Sequence, residues 1–418
     1  MAQPSPRASA RLRVVLVVAT IMVAVVAAVV RNVSWRSPGE QSDSSVSMAP
    51  GVGMPGAPPT SAAGLRERID EMEKRLRERP RDGGAAVLLA DALLRQGRVA
   101  GDGRPAARAS EVLKAALREN PGSYNALRML GAIYLSQHKF REALDIGRRA
   151  RNVRPDDAWN YGVIGDALIE LGEYDEASEA IDTMAALRPN AAAYARVSYA
   201  RELRGDLDGA LQAMQMAAKA TGPTDPEAQA WHAAHLGELY LRLGKPDDAE
   251  REYRRASFIF PDYLLAMVGL GKVKAAKGDR RTALIIYLQQ LKRCPTLDLA
   301  ARIGDLYAQD GDTAQAEHYY QLAEDVAGPG IAQAEPNLAL FLADHDRKLP
   351  EALRIAEAVA AIRHDIFTED ALAWAYFKTA RLTEALAASQ RAMRTGTRDP
   401  QIRRHALEIR RAHEQSRS

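Results

Sequence analysis

Apolar and small residues in the stretch from Ala234 to Pro261, AHLGELYLRLGKPDDAEREYRRASFIFP, recur at helical spacing in two blocks. Leu236, Gly237 and Tyr240 share one face of a first helix. Gly244 followed by Lys245-Pro246-Asp247-Asp248 interrupts it, because glycine ends helices while proline and aspartate open them. Ala249, Tyr253 and Ala256 then fall at i, i+4 and i+7 on a second helix, which Pro261 stops. Gly237, Ala249 and Ala256 are small where the two backbones must approach, with Tyr240 and Tyr253 wedged between. One such hairpin cannot bury its own apolar face and needs a neighbour on each side.

The neighbours follow at a period of about 34 residues. Leu127, Leu130, Gly131 and Tyr134 with Ala143, Ala150 and Pro155 restate the pattern. Tyr161, Ile164, Gly165 and Leu168 with Ala177 and Pro189 do so again, as do Tyr194, Val197, Ala210 and Ala217, although Arg201 stands where a large apolar residue is usual. Beyond Pro261 come Met267, Gly271, Ala283, Tyr287 and Pro295, then Ile303, Gly304, Ala316 and Tyr320. A weaker copy holds Ala339, Ala352 and Ala356 around a turn without glycine, Asp344–Lys348, and a last one holds Leu372, Tyr376, Ala385 and Ala392. Upstream, Leu89, Ala90 and Leu93 pair with Ala109, Leu113 and Ala116 across a Gly-rich insertion, Val99–Pro105. Leu65, Ile69, Met72 and Leu76 mark a charged half-repeat before it. Ile402, Ala406 and Ile409 mark a basic closing helix after it.

This phasing over roughly residues 65–400 resembles the tetratricopeptide repeat family. The expected fold is therefore all-α: a right-handed superhelix, or α-solenoid, of about nine helix-turn-helix repeats. The array spans 64–400, with a capping helix at 401–418. The resemblance also implies that first helices line a concave groove for a peptide or a partner's helix. Carried onto this chain, its groove positions include Arg128, Asp166, Tyr199, Glu238, Lys272, Asp305 and Trp374, with Phe377 beside them. Asp166, Glu238 and Asp305 with the aromatic residues imply an acidic groove with half-exposed anchors, suited to an amphipathic or basic segment. The Lys/Asn arrangement with which some relatives clamp a chaperone's terminal carboxylate is missing.

Composition changes the picture at the ends. The 418 residues are 47% hydrophobic but only 6% aromatic, and the formal charge is +3. Residues 1–36 carry five arginines and no acid, and residues 391–418 carry eight arginines against three acids, so the body between is −7. Residues 14–30, VVLVVATIMVAVVAAVV, form an uninterrupted apolar run between Arg13 and Arg31. At ~1.5 Å per residue it reaches roughly 25 Å, enough to cross a bilayer with flanking arginines snorkelling. It reads as a single transmembrane helix in a segment 1–36 whose more basic N-terminal flank faces the cytoplasm, placing the repeats on the extracytoplasmic side. The alternative is a signal peptide cut after small residues such as Val26 and Ala28, and then a secreted chain. Residues 37–63 are a Pro/Gly/Ser linker that cannot bury a core. Its literal GxGxxG, Gly51–Gly56, has neither the preceding strand nor the following helix that a dinucleotide loop needs.

Candidate chemistry is sparse. Cys294 is the only cysteine, which excludes an internal disulfide and a thiolate cluster. His232, His235 and Glu238 lie at helical spacing but read as ordinary helix-face positions. No nucleotide, zinc-protease or serine-hydrolase motif occurs, and paired acids such as Asp156-Asp157 sit at helix starts, where they cap. The expectation is a non-enzymatic scaffold without cofactor or metal, binding a protein or peptide and assisting assembly or retention of an envelope complex. The layout of anchor, spacer and array also resembles membrane-bound assembly factors of cytochrome c maturation. An enzyme or nucleic-acid binder is the remaining class. The basic C-terminal helix lacks the interleaved aromatics of a nucleic-acid surface, and lipid headgroups suit it as well.

Overall fold

The computed structural model describes residues 62–100, 104–222, 226–327 and 336–416. The apolar run 14–30, the linker up to residue 61 and its GxGxxG lie outside the described residues. Among those described there are twenty helices and no strand, and no helix is long and apolar enough to cross a membrane. A single helix α1 (Ala62–Glu78) precedes nine antiparallel pairs. These are α2 (Gly83–Ala100) with α3 (Arg104–Glu119), α4 (Tyr124–Ser136) with α5 (Phe140–Val153), and α6 (Ala158–Leu171) with α7 (Tyr174–Leu187). Next come α8 (Ala191–Leu203) with α9 (Leu207–Ala220), α10 (Pro226–Arg242) with α11 (Pro246–Ile259), and α12 (Leu264–Ala276) with α13 (Arg280–Arg293). Then α14 (Leu297–Gln309) joins α15 (Thr313–Ala327), α16 (Pro336–Asp344) joins α17 (Leu349–Ala360), and α18 (Ile366–Lys378) joins α19 (Leu382–Ala392). A last single helix, α20 (Pro400–Gln415), caps the stack.

The local sequence explains these boundaries. Side chains of Asp157, Asn190 and Thr296 accept hydrogen bonds from the backbone N–H groups of Trp159, Ala193 and Leu299, satisfying donors that a helix start leaves orphaned. Turns within pairs need a left-handed residue. Gly172, Gly205, Gly244, Gly278 and Gly311 supply it in five pairs. In the glycine-free turn before α17, Asp346 (φ 51°) and Lys348 (φ 41°) adopt it instead, so that pair forms despite the missing glycine.

Packing follows the small-beside-large pattern. Tyr253 is 2% exposed, and its ring lies between Gly237 of α10 and Gly269 of α12. Tyr287 repeats this arrangement against Gly271, and Tyr320 against Gly304. The half-repeat α1 buries Ile69 and Met72 against the first pair, and α20 buries Ile402 and Ile409 at the far end. Ala275 is partly buried against the C-terminal core. Ala276 is the exposed neighbour.

The superhelix also closes on itself. After one turn, the edge of the last pair rests on the intra-pair turns of α4–α9. Ile366 N–H donates to the Tyr174 hydroxyl at 2.8 Å, across 192 residues of chain. Arg363 pairs with Glu170 at 2.5 Å and with its own neighbour Asp365 at 2.7 Å, and its guanidinium lies over the Phe140 ring. Arg394 covers the Tyr174 ring and donates to the carbonyls of Gly172 and His364. Ile366, Ala392 and Ile402 join one apolar cluster with Ile164, Leu168 and Tyr174. The glycines record the closure. A Cβ on Gly172 would meet the His364 carbonyl oxygen at 2.5 Å and one on Gly205 the Gly396 oxygen at 2.6 Å, whereas Gly244, Gly278 and Gly311 face open space.

Candidate functional site

Equivalent positions on several first helices carry charged side chains, and each is bonded to a side chain of a neighbouring repeat. Asp166 of α6 receives both Nε (2.8 Å) and Nη2 (2.6 Å) of Arg196 on α8, a bidentate pair with Arg196 itself buried. Glu238 of α10 accepts from Lys272 Nζ of α12 at 3.0 Å and from the Tyr253 hydroxyl at 3.0 Å. Asp305 of α14 accepts from the Tyr320 hydroxyl at 3.1 Å and faces His345 Nε2, just beyond α16, at 2.8 Å. These three acids thus make a series of polar pairs, each bridging one repeat to the next. This corrects the picture of an uncompensated acidic groove: every one of the three acids already holds a cationic or titratable partner.

Arg242, at the end of α10, ties this row to the terminal cap. Its Nη1 reaches Glu202 at 3.1 Å and Asp399 at 3.4 Å. Burial works against both charges here, raising the carboxyl of Glu202, with Arg242 opposing that rise. Burial also works against Glu238, but Lys272 and Arg242 outweigh it and hold its carboxyl at about 2. Tyr199 is 38% exposed, yet burial pushes its hydroxyl well above the usual tyrosine range.

The remaining groove residues fall elsewhere. Arg128 lies with its guanidinium 5.4 Å from the Trp159 ring centroid. Trp374, expected as a half-exposed anchor, is buried (3% exposed), because α20 folds over it: its ring stacks on His405 at 4.0 Å and on Phe377 at 5.0 Å. Phe377 is half-buried in the same stack. His405 was not anticipated. It is fully buried on α20, with Nδ1 2.9 Å from Asp370 and Nε2 3.3 Å from Asp344. Burial disfavours its charge, but those two carboxylates overcome that and raise its pKa. Helical spacing already held the clue, since residue 405 falls three after Ile402 and four before Ile409. His345, Arg196 and Arg242 were likewise missed, because no local pattern marks a charge whose partner sits on the next repeat.

The other polar candidates have structural surroundings. His232 Nδ1 lies 3.1 Å from the Thr221 hydroxyl, while His235 Nδ1 faces the Trp231 carbonyl and its ring lies on Trp231. Cys294 is half-buried, and burial pushes its thiol up, away from the reactive thiolate.

Two tetratricopeptide-repeat profiles match the chain, one over residues 134–198 and one over residues 102–158 and 235–297. No curated protein sequence matches it. Among solved structures, a human IFIT1 dimer with m7Gppp-AAAA is similar at 16% identity and a TM-score of 0.52, over 80% of this chain and 78% of that one. The chain of an APC/C Cut9–Hcn1 hetero-tetramer aligns at 15% identity and a TM-score of 0.44, over 82% of this chain but 59% of that one. A thermophilic repeat protein of Thermus thermophilus, TTC0263, aligns at 22% identity and a TM-score of 0.39, over 46% of this chain and 98% of that one. At these identities the likeness to IFIT1 concerns the fold alone.

Proposed function

We propose, because tetratricopeptide-repeat models match residues 102–198 and 235–297, that the chain is a protein-interaction scaffold, held at a membrane by residues 14–30, whose inner face binds a peptide or a partner's helix outside the cytoplasm. Its service would be the assembly or retention of an envelope complex. The observation that carries this reading is the inner row itself. Asp166, Glu238, Lys272 and Asp305 are charged side chains on α6, α10, α12 and α14, each bonded to a side chain of a neighbouring repeat. A polar or charged extended segment can exchange hydrogen bonds with such a row one repeat at a time, while Tyr199 offers a rigid aromatic surface beside it. The paired charges favour an occupant that carries both signs over a purely basic one, since displacing Lys272 or Arg196 would leave a poorly hydrated carboxylate behind. Membrane tethering is supported by the apolar run and its flanking arginines.

Two measurements test this. Alkaline phosphatase fused after Ser418 should be active in a bacterial host, and an inactive fusion beside an active cytoplasmic reporter sinks the topology. The full chain, solubilised from membranes, should lose its co-purifying partner on Tyr199→Ala with Asp305→Lys and keep it on the outward change Met216→Ser. Retention of the partner at wild-type level by a folded groove variant overturns the inner-face reading.

A further inference from the structure

The two edges of the stack differ in chemistry. One carries the turns within pairs. The other collects the C-terminal ends of the second helices, and there the second, third and fifth pairs expose apolar side chains: Val153 (43%), Leu187 (44%), Phe258 (88%) and Phe260 (40%). Phe258 is the most exposed large apolar residue of the described chain. Isolated exposed apolar residues are common, but these share a helix-end position with cations. Arg154, Arg188, Lys219 and the Lys292-Arg293 pair are exposed at the same ends, against the exposed acids Asp156, Asp262 and Asp298. Arg293 lies 3.4 Å from Asp262 and Arg154 covers the Tyr124 ring, while the others reach outward. A cationic, aromatic edge on a body whose formal charge is −7 is not an average of its surroundings.

We propose that this edge lies on an anionic bilayer surface, with Phe258 and Phe260 among the headgroups and the flanking arginines and lysines on lipid phosphates. Aromatic residues with an apolar body settle at the membrane interface, and basic side chains gain from a leaflet that carries anionic lipid. The geometry rests on the membrane-tethered reading above. Charge selects this edge over the other. With this edge down, the last pair and its closure, which lie on the opposite edge, stand off the membrane.

The test uses the full chain reconstituted in vesicles of phosphatidylcholine, or of phosphatidylcholine and phosphatidylglycerol in equal parts. On a Cys294→Ser background, Phe258→Cys and, on the opposite edge, Ala276→Cys are labelled with a polarity-sensitive nitrobenzoxadiazole dye. The expected result is a several-fold brighter, blue-shifted emission at position 258 in the anionic vesicles alone, reversed by high salt and by adding Arg188→Glu with Arg293→Glu, and no change at position 276. A silent dye at position 258, equal responses at both positions, or a response indifferent to lipid charge and salt overturns the proposal; a protein partner covering the edge gives the first of these. Alkaline carbonate washing of the same vesicles reads the anchor separately. A chain that resists the wash while position 258 stays silent leaves the tether standing and refutes the edge. A chain that washes off is then tested by flotation at low salt, where loss of vesicle binding on Phe258→Asp supports the edge and unchanged binding refutes it.

Discussion

Replacing Gly237 by alanine puts the packing argument to its sharpest test. In an exposed helix this change stabilises by about 1 kcal/mol, because alanine is the better helix former. Here the added Cβ would stand 2.8 Å from Cε1 and Cζ of Tyr253, where carbon atoms prefer about 3.5–4.0 Å. The ring cannot retreat: Gly269 holds it on the other side, and its hydroxyl is bonded to Glu238. Overpacking costs roughly 1–3 kcal/mol, so the net loss should be about 1 kcal/mol, and Gly237→Leu should lose considerably more. Urea unfolding followed by circular dichroism measures it, with Ala276→Leu, on an exposed position, as the control that moves little. Tyr253→Leu alone should destabilise by leaving space and breaking the bond to Glu238, yet the double variant Gly237→Ala, Tyr253→Leu should be more stable than the two losses added, because the clash has gone. A Gly237→Ala protein more stable than wild type, or strict additivity, would refute the reasoning.

Other outcomes follow from the same structure. Trp374→Ala should cost about 3–5 kcal/mol as a buried truncation and loosen α20 in hydrogen exchange, where a groove anchor would have left stability alone. Arg363→Ala leaves Glu170 and Asp365 without their buried cation, a loss of about 3–5 kcal/mol at that contact, so small-angle scattering should report an expanded particle with unchanged helicity. His405 faces Asp370, Asp344 and Arg404, and its folded pKa is raised above the ordinary value. Its stabilisation is complete below about pH 6.5 and lost as pH rises through that elevated pKa, so α20 should exchange faster in alkali, and His405→Gln should flatten the profile. Glu238 has the opposite sign: its contribution is present above about pH 4.5 and lost as pH falls through about 2.

What could be read in advance was whatever is local and periodic. Gly237, Ala249 and Ala256 announced close helix contacts, and Pro261 and Gly244 announced boundaries, because each acts within its own hairpin. Even the turn without glycine belonged to a repeat that the flanking alanines had marked. Charge partners were not legible in the same way. Asp166 looked like a free groove acid until Arg196, on the next first helix, was seen to hold it, and nothing in either segment names the other. Trp374 was misplaced for a related reason: its exposure depends on whether α20 lies over it, which the pattern of α18 does not contain. The closure between Tyr174 and Ile366 joins repeats a full superhelical turn apart, and a repeating sequence gives no sign of where its ends meet.

That closure has a consequence for how the chain is made. A stack held only by neighbouring contacts can mature pair by pair as it is synthesised. Here Tyr174 and Ile366 are 192 residues apart, which at 5–20 residues per second means roughly 10–40 s between the emergence of one partner and the other. For that interval the apolar patch around Ile164, Leu168 and Tyr174 has no cover of its own. The nascent protein therefore passes through a stage in which its early repeats are complete as helix pairs yet exposed along one edge, and the last pair finishes them.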